Sequence, residues 1–216
     1  MSSLSDSPFF FMTVVVPLSE TLPVAIAIYK YKQFPRELKR FAWYLFLNCT
    51  ANCVGSILSY HWINNLWLIQ IYAVVEIITL SLFFKMLLTG TRVHKYMNAI
   101  MVTFVTAAVV NVLFFQHLFT YPGFTKSIES ILFIFLTISY FKKVLDHVDP
   151  PNKTGNSVLF INSGLLIYFS GSFTLFVISK LIIINFTLNR FVWNTHASLL
   201  LIMYMLFAFA LWRYKK

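Results

Sequence analysis

The sequence predicts an all-α, polytopic integral membrane protein with seven transmembrane helices. Of its 216 residues, 59% are hydrophobic and 11% are charged, whereas a soluble domain carries about 25% charged residues. The mean hydropathy is +0.75. The apolar residues fall into seven runs, each close to the roughly 20 residues that a helix needs to cross a bilayer core. We therefore expect one transmembrane domain covering residues 1–216.

The apolar runs define the spans in chain order. They are residues 9–29, 41–60, 66–84, 97–118, 126–141, 157–179 and 192–212. In the first span, Pro17 and Pro23 flank Glu20. Each proline removes a backbone donor and tends to bend a helix. Glu20 is therefore predicted at mid-membrane, between two regions of freed carbonyl groups.

The second span carries a polar stripe. Asn48, Asn52, Ser56 and Ser59 are spaced by four, four and three residues, which places them on one helix face. That face is a candidate for the polar interior of the bundle.

Glu76 lies near the middle of the third span. A carboxylate there costs at least about 2.5 kcal/mol, so Glu76 is expected to face protein or a water-filled cavity. Tyr72, Glu76 and Thr79 share one helix face. The alternative is that Glu76 is protonated and hydrogen-bonded to a neighbouring helix purely for packing.

The later spans add fewer polar groups. Asn111 lies in the fourth span, and Glu129 lies in the first turn predicted for the fifth, where the helix dipole favours a negative charge. Capping is therefore the alternative role for Glu129. The sixth span is rich in small residues, which allow close helix approach. After an apolar loop predicted at 180–191, Asn194 and His196 lie in the first turns of the seventh span.

Basic residues are distributed unevenly between the two sets of helix ends. Alternate ends carry fourteen of the seventeen Lys and Arg residues, whereas the opposite ends carry Lys126, Lys180 and Arg190. The positive-inside rule then puts the N-terminus outside and the C-terminus in the cytoplasm. The net charge of +10 is explained by attraction of these loops to anionic lipid head groups. Nucleic acid is not a predicted partner.

Two cytoplasmic segments are candidate docking sites for a signalling protein. They run from Lys30 to Arg40 and from Lys142 to Asn156. The alternative is that they do no more than anchor the chain at lipid head groups.

The orientation also gives each polar group a depth. Most lie in the outer half and converge on the carboxyl groups of Glu20 and Glu76, which outlines an outward-open pocket for a small molecule or lipid. The alternative is that the polar groups only pair with each other between helices. Glu129 and His196 are expected to pair if their helix ends adjoin, which would make the pair sensitive to outside pH. The candidate pocket residues are Glu20, Asn52, Tyr72, Glu76, Asn111, Glu129, Asn194 and His196.

Neither a metal nor an organic cofactor is predicted. The five histidines are scattered, and no pair has the spacing of metal ligands on one helix. The seventh span has no lysine that could form a Schiff base. Catalytic residues cannot be assigned from the sequence.

Several runs resemble a group of small, poorly characterised bacterial membrane proteins. These runs are INNLWLIQIYAVVEI, SIESILFIFLTISYF, FINSGLLIYFSGSFTLF and WNTHASLLLIMYML, together with the Pro-Leu-Ser-Glu of the first span. The resemblance covers most of the chain and implies a location in a bacterial inner membrane. Some members are encoded near sensor histidine kinases, which implies signalling by association. The marked positions of the pattern are Glu20, Tyr72, Glu76, Glu129, Asn162, Tyr168 and His196.

Three functions are compatible with these features. The leading hypothesis is a receptor-like sensory protein that binds a ligand from the outer side and signals to a cytoplasmic partner. The second is an intramembrane enzyme acting on a lipid, with Glu76, Glu129 and His196 as acid–base groups. The third is a proton-coupled carrier that uses Glu20 and Glu76.

Overall fold

The computed structural model describes residues 11–115, 119, 121–146, 153–182 and 186–215. Over these residues the chain is helical and contains no strand. A π-helical turn at Phe11–Val15 precedes the first α-helix, and another at Asn111–Phe115 follows the fourth. The α-helices are α1 (Val16–Lys30), α2 (Arg36–Tyr60), α3 (Leu66–Leu87), α4 (Arg92–Val110), α5 (Gly123–Asp146), α6 (Lys153–Ile182) and α7 (Phe186–Arg213).

Six of these helices surround the interior, and α4 lies outside them. α1 packs on α2 and α7, α2 on α3, α3 on α5, α5 on α6, and α6 on α7, which closes the ring. α4 packs on α3 and, over a smaller area, on α5. Within α4 only Met97 and Ala108 are buried, so most of its apolar surface faces outward.

The helix ends that carry most of the basic residues meet at one end of the bundle, which we call the basic end. The Lys30 ammonium donates to the carbonyl oxygens of Trp212 and Tyr214, at 2.5 and 2.9 Å. Lys143 donates to the carbonyl oxygens of Leu87 and Thr89, both at 2.8 Å. Each lysine thus satisfies carbonyl groups near the C-terminus of a neighbouring helix, which carries partial negative charge.

Aromatic side chains fill the half of the interior nearer the basic end. The fully buried phenylalanines are Phe41, Phe83, Phe84, Phe133, Phe169 and Phe207. The Phe41 ring meets that of Phe207 edge-on at 4.8 Å, and the Phe133 and Phe169 rings are 4.9 Å apart. Ring contacts fill this half, whereas a cavity opens towards the other end of the bundle.

Five of the described helices are long and apolar enough to cross a membrane: α2, α3, α4, α6 and α7. Apolar side chains also cover much of the outer surface, as expected for a protein surrounded by lipid. The two remaining helices bring buried ionisable groups into the interior, Glu20 on α1 and Lys126 and Glu129 on α5. α1 has 15 residues, which is short for a helix that crosses a bilayer core.

The helix ends differ from the predicted spans in three places. The basic segment between the first two helices is short, because α2 already begins at Arg36. α5 begins at Gly123, so Glu129 lies beyond its first turn and the capping role is wrong. The predicted apolar loop at 180–191 is also wrong, because α6 continues to Ile182 and α7 begins at Phe186. Apolar residues without glycine or proline allow both helices to extend.

Part of the predicted second docking segment lies outside the described residues. Lys142 to Asp146 form the last turn of α5, and α6 begins at Lys153. Residues 147–152 are not among those described, and neither are 183–185, between α6 and α7.

Candidate functional site

A buried lysine joins two buried glutamates in the middle of the bundle. The Lys126 ammonium on α5 donates to Glu76 Oε2 on α3 at 2.7 Å. Glu129 Oε2, one turn along α5, lies 2.9 Å from the same nitrogen as an ion pair without hydrogen-bond geometry. The three side chains are 11%, 6% and 0% exposed. We call Glu76, Lys126 and Glu129 the charged triad.

Two tyrosines complete the surroundings of the charged triad. The Tyr44 hydroxyl on α2 donates to Glu76 Oε1 at 3.2 Å. The Lys126 nitrogen lies 5.6 Å from the centre of the Tyr72 ring, within the range of a cation–π interaction. Glu76 therefore accepts hydrogen bonds from side chains on α2 and α5. Glu129 Oε1 makes no hydrogen bond with any described residue.

Buried polar pairs also connect α2 to its other neighbours. Asn52 donates to Glu20 Oε2 on α1 at 2.7 Å, which leaves Glu20 Oε1 without a partner among the described residues. Asn48, one turn earlier, donates to the Tyr204 hydroxyl on α7 at 3.1 Å. The polar stripe of α2 therefore faces the bundle interior, as its spacing predicts.

A cavity of about 870 Å³ opens beside these groups. It extends from the level of Glu76, Tyr44 and Tyr204 towards the turn between α2 and α3, away from the basic end. All four residues of the α2 stripe line it, namely Asn48, Asn52, Ser56 and Ser59. Glu76 and Lys126 contribute two members of the charged triad to the wall.

Aromatic rings line the part of the cavity that lies farther from the basic end. The Tyr168 hydroxyl lies 3.4 Å from His196 Nε2, and the His196 ring contacts those of Phe176 and Trp193. Tyr121, just before α5, packs edge-on against Trp193 at 5.3 Å. Burial raises the pKa of the Tyr121 phenol, so it remains a neutral hydroxyl at physiological pH.

The structure brings part of the predicted pocket together. Asn52, Tyr72, Glu76 and His196 line the cavity. Glu20 and Glu129 are not in the wall. They are buried and reach it through the contacts of Asn52 and Lys126, respectively.

Two of the predicted pocket residues lie elsewhere. Asn111 donates to the Thr125 hydroxyl at 3.1 Å and does not line the cavity. Asn194 is not in the wall either, and its buried amide oxygen has no hydrogen-bond partner among the described residues.

The expected pairing of Glu129 with His196 is wrong. Glu129 lies against Lys126, and His196 lies against Tyr168. Lys126 was also counted as a marker of an outer helix end. It is 9% exposed and belongs to the interior, because α5 begins one turn earlier than predicted and carries this residue inward.

The site also contains three residues that the sequence did not predict, namely Lys126, Tyr44 and Tyr204. A usable signal existed for Lys126, since it stands three positions before Glu129 and the two can pair on one helix face. Tyr44 stands one turn before Asn48 and continues the polar stripe. Tyr204 had no local signal, because its partner lies on another helix, 156 residues away in the chain.

Comparisons with protein-family models, with curated proteins and with solved structures find no match for this chain. The chemistry of the site therefore rests on its own side chains. They offer hydroxyl and amide groups, aromatic faces and a charged triad beside a large space. Such an arrangement can bind a small molecule and can hold a proton on a carboxyl group.

Proposed function

We propose that this protein is a seven-helix, receptor-like protein of a bacterial inner membrane. It binds a small molecule or lipid from the outer side, in the cavity beside the charged triad, and passes the change to a signalling protein at the basic end. The resemblance to small bacterial membrane proteins implies the inner-membrane location and the link to signalling.

The cavity is the observation that carries the binding function. Small-molecule sites commonly have about 300–1,000 Å³ and combine apolar walls with a few placed polar groups. The cavity has about 870 Å³, with the Lys126–Glu76 pair in its wall. Keeping ionisable groups inside a membrane protein is costly, and such groups commonly mark functional sites.

The proposed orientation places the cavity mouth outside the cell. Fourteen of the seventeen Lys and Arg residues belong to the helix ends and connecting segments on the side of the basic end. Segments rich in Lys and Arg are retained in the cytoplasm. The cavity opens towards the opposite end, where the wall includes Tyr60 and Asn65. A ligand would therefore enter from the outer side.

Two lysines on α5 connect the cavity with the basic end. Lys126 ties α5 to α3 at the cavity, and Lys143 ties the same helices at the basic end. A ligand that alters the contact between Lys126 and Glu76 would change how α3 and α5 pack. Because packed helices favour discrete arrangements, the change would reach the carbonyl groups held by Lys143.

A proton-coupled carrier is the second candidate function. It is favoured by the two carboxyl groups that share one ammonium, because the charged triad can gain or lose a proton as its surroundings change. This candidate predicts ligand-dependent proton flux in liposomes, which a receptor would not show. Of the three acid–base groups of the enzyme hypothesis, Glu76 and His196 line the cavity, whereas Glu129 lies behind Lys126.

Native mass spectrometry on protein purified in mild detergent tests the binding function. The matched variants are Ala51→Leu, which puts a larger side chain into the cavity wall, and Ala107→Leu, which makes the same change on the exposed face of α4. We expect a small molecule or lipid to be retained by the wild type and by Ala107→Leu, and at least tenfold less by Ala51→Leu. The proposal fails if the wild type retains nothing, or if both variants retain the same amount.

A further inference from the structure

We propose that the ligand of this cavity is an organic cation, that is, a protonated amine carried on an apolar or aromatic body. This inference rests on the proposed binding function and adds the chemical class of the ligand. It follows from the charge of the groups around the cavity, from the way Lys126 is held, and from the aromatic wall.

The ionisable groups at the cavity are mostly acidic. Glu76 lines it, and Glu20 and Glu129 lie directly behind Asn52 and Lys126. Lys126 is the one Lys or Arg among the described residues of the wall. An anionic ligand would add a further negative group to this set, whereas a cation would offset the surplus of carboxyl groups.

Lys126 is already occupied and has little charge to offer an anion. Its ammonium contacts Glu76 at 2.7 Å and Glu129 at 2.9 Å, and it lies over the Tyr72 ring. The protein therefore already holds one alkylammonium group with carboxylates and an aromatic face. Glu76 and Tyr72 from that arrangement also line the cavity, and each carboxylate oxygen of Glu76 has a second lone pair that can accept from another ammonium group.

The outer wall supplies further surfaces suited to a cation. Its aromatic residues include Tyr60, Tyr121, Tyr168, Phe176 and Trp193. A cation over such a ring gains about 0.5–1 kcal/mol at exposed sites and about 2 kcal/mol or more when desolvated. The buried Tyr72 hydroxyl, which has no hydrogen-bond partner among the described residues, provides an oxygen that can accept from an ammonium.

Three probes that share a phenyl group and a short alkyl chain but differ in charge test the inference. The probes are 2-phenylethylamine, 2-phenylethanol and 3-phenylpropionate, which are a cation, a neutral molecule and an anion. Their affinities would be measured by calorimetry on the full chain in detergent. We expect the amine to bind at least tenfold more tightly than the alcohol, and the carboxylate not to bind. Equal binding of all three, tighter binding of the carboxylate, or no binding of the amine would overturn the inference.

Single Glu→Gln variants show which carboxyl groups contribute to amine binding. Glu76→Gln and Glu20→Gln should each weaken amine binding about tenfold and should weaken binding of the alcohol by much less. Glu37→Gln makes the same change near the basic end and should alter neither. If Glu76→Gln does not fold, Glu20→Gln still decides, because Lys126 keeps both of its partners. Unchanged amine affinity in Glu20→Gln and in any folded Glu76→Gln would refute the assignment.

The ammonium group could belong to a free amine or to a lipid head group, and nanodiscs distinguish the two. If the source is a lipid, phosphatidylethanolamine in phosphatidylglycerol nanodiscs should compete with 2-phenylethylamine, and pure phosphatidylglycerol should not. If the source is a free amine, the affinity for 2-phenylethylamine should be the same in nanodiscs with and without phosphatidylethanolamine. If the molecule retained by the wild type and lost in Ala51→Leu carries no protonated amine, this inference is overturned while the proposed binding function is supported.

Discussion

The Lys126 ammonium lies 2.7 Å from Glu76 Oε2 although the two residues are 50 positions apart in the chain. The contact joins the start of α5 to the middle of α3 within the bundle interior. Breaking a buried ion pair by removing one partner costs about 3–5 kcal/mol, because the other charge is left uncompensated. The contact therefore bears on stability as well as on binding.

Lys126→Met should lower stability strongly. The change removes the ammonium and leaves the carboxyl groups of Glu76 and Glu129 facing each other, at a cost of about 3–5 kcal/mol. Thermal unfolding in detergent would measure the loss.

The control is Lys95→Met, which changes an exposed lysine on α4 and should have little effect. Glu76→Gln should cost less than Lys126→Met, because Glu129 still holds the ammonium at 2.9 Å. Equal midpoints for Lys126→Met and Lys95→Met would show that the charged triad does not stabilise the fold.

Close packing between α6 and α7 depends on Gly171. A Cβ atom at this position would lie 2.6 Å from Leu199 Cδ1. Gly171→Ala should therefore destabilise the protein, by about 1–3 kcal/mol for overpacking. Adding Leu199→Ala removes the clashing methyl group, so the double variant should lose less stability than the sum of the single variants. Thermal midpoints of the four proteins give this coupling.

Gly55→Ala is the matched control for Gly171→Ala. Its nearest neighbour would be Leu68 Cδ2 at 3.6 Å, which is an ordinary contact. Helix propensity and chain entropy both favour alanine over glycine inside a helix, so Gly55→Ala should be neutral or stabilising. Equal losses in the two glycine variants would show that packing against Leu199 is not the cause.

Much of the bundle was predictable because the bilayer imposes a simple rule on the chain. Apolar runs long enough to cross it mark the helices, and a charged group within such a run must face inward. Glu76 is buried in the middle of α3, as its position indicates. The stripe that begins at Asn48 faces the cavity because a helix repeats its faces every three to four residues.

The remaining features depend on contacts between distant parts of the chain. A lysine near a predicted helix end is typical of an interface residue. The spacing of Lys126 and Glu129 indicates a pair on one helix face, but no local feature indicates that Lys126 also reaches Glu76 on α3. The same limit applies to His196, whose neighbour Tyr168 is on α6. Helix ends were misplaced where the connecting residues are themselves apolar, as after Ser179, because hydropathy alone does not end a helix.

The bond between Asn48 and Tyr204 should make a modest contribution to stability. The Asn48 amide donates to the Tyr204 hydroxyl at 3.1 Å and ties α2 to α7. Hydrogen bonds between membrane helices contribute about 0.6 kcal/mol on average and at most about 1.7 kcal/mol. Tyr204→Phe should therefore lower the free energy of unfolding by about that amount. Denaturation in mixed micelles would measure it.

Tyr29→Phe is the control for Tyr204→Phe, because Tyr29 is 78% exposed. A loss above about 3 kcal/mol in Tyr204→Phe would contradict the modest value and indicate that the hydroxyl supports a larger network.

The proposed orientation can be tested with single cysteines at the two ends of the bundle. His61 and Gln33 are exposed polar residues in turns, His61 at the cavity end and Gln33 at the basic end. Each is changed to cysteine in a chain whose native Cys49 and Cys53 are replaced by alanine. The chain without cysteine is the control for background labelling.

A membrane-impermeant maleimide is then added to intact spheroplasts. The excess of Lys and Arg at the basic end favours its retention in the cytoplasm. His61→Cys should therefore be labelled in intact spheroplasts, and Gln33→Cys only after the membrane is permeabilised. The reverse pattern would place the basic end outside and the cavity mouth in the cytoplasm, so a ligand could not enter from the outer side. Labelling of both sites in intact spheroplasts would contradict a single orientation.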